Sequence, residues 1–107
     1  MSVVHETHHF NCLNEAEHER LALLAEELAE AIHAIGKILR HGYESRNPLM
    51  PKGPTNRDWL EQEVAHVLVA ARLMFDAGDI RRVACAEHEQ DKHESLHRYM
   101  HHQPRPH

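Results

Sequence analysis

Residues 14–42 read NEAEHERLALLAEELAEAIHAIGKILRHG, and the pattern in this stretch indicates one long α-helix. A series of apolar residues recurs every three or four positions, which places them on one helix face; they are Leu21, Leu24, Leu28, Ile32, Ile35 and Leu39. Asn14 is a favourable N-cap with Glu17 three positions later, and Gly42 suits the end of a helix. We therefore expect a helix of about 40 Å, at about 1.5 Å per residue, whose apolar stripe faces the core.

A second helix of similar kind follows a proline-rich loop over residues 42–54, which excludes a continuous helix. Thr55 is a candidate N-cap, and Asp58 supplies an acidic residue in the first turn. Gly78 is expected to end this helix after Ala77. Its expected buried face comprises Leu60, Val64, Val67, Leu68, Ala71, Met74 and Phe75.

A third helix and two polar termini complete the predicted organisation. Asp79 is the candidate N-cap of the third helix, whose sequence is mostly polar. We expect an N-terminal arm over residues 1–13, a single domain over 14–100 and a disordered, His-rich tail over 101–107. The predicted fold class is all-α: an antiparallel pair of long helices with a third helix.

The composition excludes several classes of protein. Aromatic residues make up only 5%, so the core depends on aliphatic side chains. Lys and Arg number 12 against 17 Asp and Glu, which argues against non-specific nucleic-acid binding because such binding rests on basic side chains. No apolar stretch approaches the roughly 20 residues of a membrane helix. Two cysteines without metal-site spacing and an N-terminus unlike a signal peptide lead us to expect a cytoplasmic protein without membrane partners.

Acidic residues on both long helices form a candidate metal site. Glu27 and Glu30 are three positions apart on the first helix, and Glu63 and His66 are three apart on the second, so each pair shares one helix surface. If the helices pack antiparallel, all four side chains can converge on one point. Three carboxylates and an imidazole can hold one or two divalent ions. Each pair by itself also fits a solvated helix face.

The two acidic motifs resemble those of the MazG-type all-α nucleoside triphosphate pyrophosphohydrolases. That family carries E-x-x-E on one helix and E-x-x-D on another, and here EELAE at 26–30 and EVAH at 63–66 occupy those places. The stretches GKILRHGYES (36–45) and NRDWLEQEVAHVL (56–68) are similar to small phage and bacterial members, and the resemblance spans residues 21–75. It implies a MazG-like helical bundle assembled as a homodimer or homotetramer, in a bacterial cell or a phage-infected host.

The resemblance also implies a reaction, the hydrolysis of a nucleoside triphosphate, deoxynucleotides included. Mg²⁺ held by Glu27, Glu30, Glu63 and His66 would bind the triphosphate, and a metal-activated water would attack the α-phosphorus. The products are a nucleoside monophosphate and pyrophosphate. The expected catalytic carboxylates are the same three Glu residues together with Glu26, because Glu26 or a ligand carboxylate can orient or deprotonate the water.

Five further residues are candidates for contacts with the substrate. Lys37 and Arg40 are expected to contact the β- and γ-phosphates, where cations offset developing charge, and His41 lies near the same end of the helix. Trp59 can stack on the base and Asn56 can hydrogen-bond to its edge. Arg40 is also compatible with an exposed charge favoured by the helix dipole, and Trp59 with a packing anchor.

His66 is where this chain departs from the family's pattern, since the family usually has Asp there. Mg²⁺ prefers oxygen ligands, whereas imidazole suits Mn²⁺ or another divalent transition metal. His66 is either a ligand that changes the metal preference, a contact to the phosphate or the second shell, or the mark of an impaired site. Two alternative functions stay open: a catalytically impaired MazG-fold binding or assembly protein, and an enzyme like phosphoribosyl-ATP pyrophosphohydrolase.

Overall fold

The structure is a computed structural model that describes residues 10–104. They form three α-helices and a short 3-10 helix: α1 (Glu15–His41), α2 (Asn56–Ala77), α3 (Arg82–Ser95) and the 3-10 helix Leu96–Arg98. This part of the chain has no β-strand, only an isolated bridge between Arg46 and Thr55, so the all-α prediction is confirmed for it. None of its helices is long and apolar enough to span a bilayer. The predicted arm (1–13) lies outside the described residues up to residue 9, and the predicted tail (101–107) from residue 105.

The first two helices begin at the predicted caps. The Asn14 N–H donates to Glu17 Oε1 at 2.9 Å, and the Glu17 N–H donates to Asn14 Oδ1 at 2.8 Å. The Thr55 N–H donates to Asp58 Oδ2 at 2.8 Å, and the Asp58 N–H donates to Thr55 Oγ1 at 3.1 Å. Each reciprocal pair satisfies backbone donors that have no partner within a helix, which confirms both predicted starts.

The third helix begins later than the sequence predicts. Gly78 ends α2 with a φ of 81°. The chain then bends, and the N-cap of α3 is Arg81, which has extended backbone and makes no side-chain cap hydrogen bond. The prediction that Asp79 caps α3 is therefore wrong, because residues 79 and 80 form the bend between the two helices.

The chain divides into two compact units, Met1–Met74 and Phe75–His107, which are described separately. In the second unit, Arg82 lies over the Phe75 ring at 4.7 Å and pairs with Asp76 at 3.4 Å. No residue of α3 is buried, which agrees with its mostly polar sequence.

In the first unit, α1 and α2 run antiparallel. Where α1 ends and α2 begins, the Asn56 side-chain amide donates to the Gly42 carbonyl at 3.1 Å. Farther from this turn on both helices, Glu27 Oε2 lies 3.2 Å from His66 Nδ1. The two acidic motifs of the sequence therefore lie side by side, one on each helix.

The interior of the first unit is small and consists mainly of short side chains. Its buried apolar residues are Ala34, Ala70 and Met74. The inner face of α1, which we define by its least exposed positions, comprises Leu24, Glu27, Ala31, Ala34 and Ile38. Ala31 and Ala34 supply the short side chains of this face.

The apolar stripe predicted to face the core is mostly exposed. Leu21, Leu28, Ile32, Ile35 and Leu39 form what we call the outer stripe, and the exposed fraction reaches 68% at Ile32 and 82% at Leu39. The stripe lies about 100° around α1 from the inner face, at about 3.6 residues per turn. The prediction of a core-facing stripe is therefore wrong within this chain. Periodicity identifies an apolar face, but it does not identify the surface that covers it.

Candidate metal centre

Three side chains of the first unit lie close enough together to hold a metal ion. One ligand atom from each of Glu27, Glu63 and His66 lies within 4.8 Å of the others. His66 Nδ1 is 3.2 Å from Glu27 Oε2 and 3.7 Å from Glu63 Oε2. The group joins the middle of α1 to the middle of α2.

Within the described part of the chain, each of the two carboxylates of this group has one oxygen without a hydrogen-bond donor. The Glu63 side chain is only 5% exposed and that of Glu27 only 14%. The Oε2 atoms of both residues are buried without a hydrogen-bond partner among the described residues, and Glu63 Oε1 accepts one long bond of 3.3 Å from Gln62. Buried carboxylates are costly unless a cation or a donor compensates them. A divalent ion between the two oxygens would provide that compensation, so the donor set fits a metal.

The helix positions explain why these groups meet. Glu27 and Glu63 point between the helices, and His66 and Glu30 each follow one of them by three residues, which is about −60° of rotation around a helix. When two antiparallel helices each turn by the same angle, counted along their own chain direction, their side chains come to lie on the same side of the pair. His66 and Glu30 therefore flank the buried carboxylates on one side of the pair. The sequence pattern placed Glu63 off the buried face, whereas the structure buries it.

Glu30 and Glu26 are not part of the three-residue group. Both are exposed, and Glu30 lines a cavity next to Glu63. The pKa of Glu30 is raised above its ordinary value, first by the charge of Glu63, then by partial burial and by the charges of Glu27 and Glu26. The negative charge thus extends from Glu27 and Glu63 to Glu30 at the cavity.

Two adjoining cavities of the first unit open beside the group. The first, of about 330 Å³, is lined by Glu30, His33, Ala34, Lys37, Trp59 and Glu63. The second, of about 340 Å³, shares Lys37 and Trp59 with the first. The carboxylates and the cations thus lie along one continuous surface.

All five predicted substrate contacts line the second cavity: Lys37, Arg40, His41, Asn56 and Trp59. The side-chain nitrogen of Asn56 already donates to the Gly42 carbonyl, so its observed bond holds the turn between the helices. Trp59 is 43% exposed, so its ring remains accessible. The cavity also has apolar walls from Pro48, Met50 and Pro54 of the loop.

Arg46 is a lining residue that the sequence pattern did not identify. Its Nε donates to the Gly53 carbonyl at 3.0 Å, and its backbone forms the bridge with Thr55. The sequence feature that could have identified Arg46 is its position as a basic residue in the loop between the two helices that carry the site. Only the folded loop brings it to the same cavity as Lys37.

The second unit has a separate cavity of about 240 Å³ lined by His93, Leu96, His97, Met100, His101, Gln103 and Pro104. Among the residues the structure describes, its histidines do not form a group with metal-ligand spacing.

Comparisons with protein-family models, with curated proteins and with solved structures find no match to this chain. The features of the site that bear on function are the Oε2 atoms of Glu27 and Glu63, which are unpartnered among the residues described, the adjacent imidazole of His66, and a neighbouring cavity lined by cations.

Proposed function

We propose that this protein hydrolyses nucleoside triphosphates, deoxynucleotides included, to nucleoside monophosphate and pyrophosphate with the help of a divalent metal. The proposal takes its reaction from the resemblance to MazG-type enzymes. The observation that carries it is the pair of buried, donor-free oxygens of Glu27 and Glu63 next to cavities lined by Lys37 and Arg40. A bound metal cation would neutralise the two carboxylates, and an anionic substrate would neutralise Lys37 and Arg40.

The residues of the group have separate roles in this proposal. Glu27, Glu63 and His66 would hold the ion, and Glu30, which lines the adjacent cavity, would be available as a further ligand. A bound Mg²⁺, Mn²⁺ or other divalent ion supplies Lewis acidity and lowers the pKa of a coordinated water. Glu30 lines the cavity beside Glu63, where it can also orient a water or accept its proton; Glu26, four residues earlier, is the second candidate for that role.

The basic cavity would bind the rest of the substrate. Lys37, Arg40 and Arg46 line it and can pair with the β- and γ-phosphates, while His41 lies at the same end. Trp59 lies between the two cavities with its ring partly exposed, which suits stacking on a base.

A second copy of the chain would cover the outer stripe. Leu28 and Val64 each follow a buried glutamate by one residue, so the same rotation places them together on the side opposite His66. Leu28 is 44% exposed and Val64 45%, and Leu68 continues the apolar surface along α2. A helix pair with one apolar side is typical of half of a four-helix bundle. We therefore propose a homodimer or homotetramer.

The test is pyrophosphate release from each common NTP and dNTP, and from phosphoribosyl-ATP, with Mg²⁺, Mn²⁺ or Co²⁺. Glu63→Gln should reduce release by at least about 100-fold, because it removes a ligand and a charge at the reacting centre. Glu61→Gln is the matched control, since it makes the same change two residues away at an exposed position of α2. Absence of release with every metal and substrate, or equal activity of the two variants, would refute the proposal.

A non-catalytic assembly protein is the second candidate, and the exposed outer stripe is the observation that favours it. The two candidate functions predict different effects of a substitution at Glu30, which lines the cavity and lies outside the outer stripe. In an enzyme, Glu30→Gln should lower activity and leave the oligomer intact. In an assembly protein, the same change should affect neither binding nor oligomeric state.

A further inference from the structure

His66 gives the candidate metal centre a nitrogen donor. Its Nδ1 lies 3.2 Å from Glu27 Oε2 and 3.7 Å from Glu63 Oε2, so one imidazole nitrogen faces both buried carboxylates. Metal–ligand bonds of about 2.0–2.2 Å place neighbouring ligand atoms about 2.8–3.6 Å apart. The first distance lies inside this range and the second lies just above it. The nitrogen is therefore placed as a ligand would be.

The alternative for this nitrogen is an ion pair in which His66 is protonated between the two carboxylates. In that case its N–H would be expected to point at one of the oxygens. Both Oε2 atoms are instead buried without a hydrogen bond, although Nδ1 lies close to them. With a neutral imidazole the three side chains carry two negative charges, which one divalent ion balances.

We propose that His66 Nδ1 makes this centre selective for a first-row transition-metal ion over Mg²⁺. Imidazole is a good ligand for Mn²⁺, Co²⁺ and Zn²⁺, whereas Mg²⁺ binds chiefly to oxygen and keeps most of its water. The inference rests on the metal centre of the proposed function, but it concerns the identity of the ion and not the reaction. The carboxylates attract any divalent ion, whereas the imidazole nitrogen favours transition-metal ions over Mg²⁺.

The experiment measures metal binding in the absence of nucleotide. The full chain is titrated with Co²⁺ while its d–d absorption is followed, and Mg²⁺ is then added as a competitor. His66→Asp replaces the nitrogen by oxygen, and His88→Asp makes the same change at an exposed position of α3. We expect His66→Asp to lower the ratio of Co²⁺ to Mg²⁺ affinity by at least about tenfold, and His88→Asp to leave it unchanged.

A second measurement uses the wild-type chain and does not depend on the folding of a variant. Long-range ¹H–¹⁵N spectra of the histidine rings, recorded with and without Zn²⁺, should show Zn²⁺ bound at Nδ1 of His66. Failure to bind Co²⁺, an unchanged affinity ratio in a folded His66→Asp variant, or a protonated Nδ1 in the presence of Zn²⁺ would overturn the inference. Binding without any pyrophosphate release would uphold it and refute the proposed reaction instead.

Discussion

The two sides of the α1–α2 pair depart in opposite ways from the usual distribution, in which charged side chains are exposed and apolar side chains are buried. On the side of His66, the carboxylate of Glu63 is almost completely buried and its Oε2 has no donor. On the side of the outer stripe, Ile32 is 68% exposed. Glutamate is almost never fully buried unless it is paired, and an extended exposed apolar surface marks an interaction site.

The two sides differ in what would stabilise them: positive charge on one side and apolar area on the other. The buried carboxylates require positive charge, which a small ion can bring into a space that a side chain does not fill. The outer stripe would be stabilised by apolar area, which a second protein surface could supply. Substitutions can separate these two requirements because the two sides use different positions of the same helices.

The largest expected effect concerns the charged side. An ion present at about 100 times its dissociation constant stabilises a protein by about 2.7 kcal/mol, which corresponds to a rise in Tm of about 10–20 °C for a domain of this size. We expect Mn²⁺ to produce such a rise in wild type and in Glu61→Gln, but only a small one in Glu63→Gln. Differential scanning fluorimetry with Mn²⁺ and with EDTA measures it. Without metal, Glu63→Gln should be at least as stable as wild type, because it removes a buried charge facing Glu27; a strong loss of stability there would contradict our account of the charged side.

The second effect concerns the apolar side. Burying an isoleucine contributes about 1.5–3 kcal/mol, so Ile32→Glu should weaken self-association by about 10- to 100-fold. Ala29→Glu introduces the same charge on the exposed surface of α1 outside the outer stripe and should have little effect. Analytical ultracentrifugation over a range of concentrations provides the measurement. A wild-type chain that stays monomeric at high concentration would show that a second copy does not cover the stripe.

A third prediction concerns Gly42, at the end of α1, where the chain turns towards α2. Gly42 has a φ of 89° and a ψ of 166°, a conformation that residues with a side chain rarely adopt. Gly42→Ala should therefore lower the free energy of unfolding by about 1–2 kcal/mol. Gly36→Ala is the matched control, because Gly36 lies within α1 with no atom near the added Cβ, and it should stabilise by about 0.5–1 kcal/mol. Urea denaturation compares the variants, and equal stability of the two would disprove the assigned role of Gly42.

The smallest expected effect concerns the start of α2. Hydrogen bonds from the Thr55 N–H and hydroxyl lower the pKa of Asp58 below its ordinary value of 3.8. Because the folded-state pKa is the lower one, this contribution is present above pH 3.8 and is lost as the pH falls through the folded-state pKa. The difference in Tm between wild type and Asp58→Ala should therefore be largest near neutral pH and shrink in acid. A difference that is independent of pH would argue against the carboxylate cap.

The sequence was sufficient for the local features of the fold. Asn14 with Glu17 and Thr55 with Asp58 predicted the starts of both long helices, because a cap depends on side chains within one helical turn. The start of α3 was predicted incorrectly, because the residues after Gly78 form a bend whose length no local pattern specifies.

The candidate site was predictable in part. Spacing identified Glu27, Glu63 and His66 as possible ligands before any distance was known. It could not identify Arg46, which reaches the cavity only through the fold of the loop.

The amino-acid sequence specifies the content of each helix: its start, its period and the residues that share one face. These properties follow from the fixed geometry of a single helix, at about 100° per residue. The tertiary structure alone decided which face turns inward. It placed Ala34 and Glu63 between the helices and left Ile32 outside, because burial depends on how the side chains of both helices meet. Hydrophobic periodicity describes one helix, whereas burial is a property of the pair.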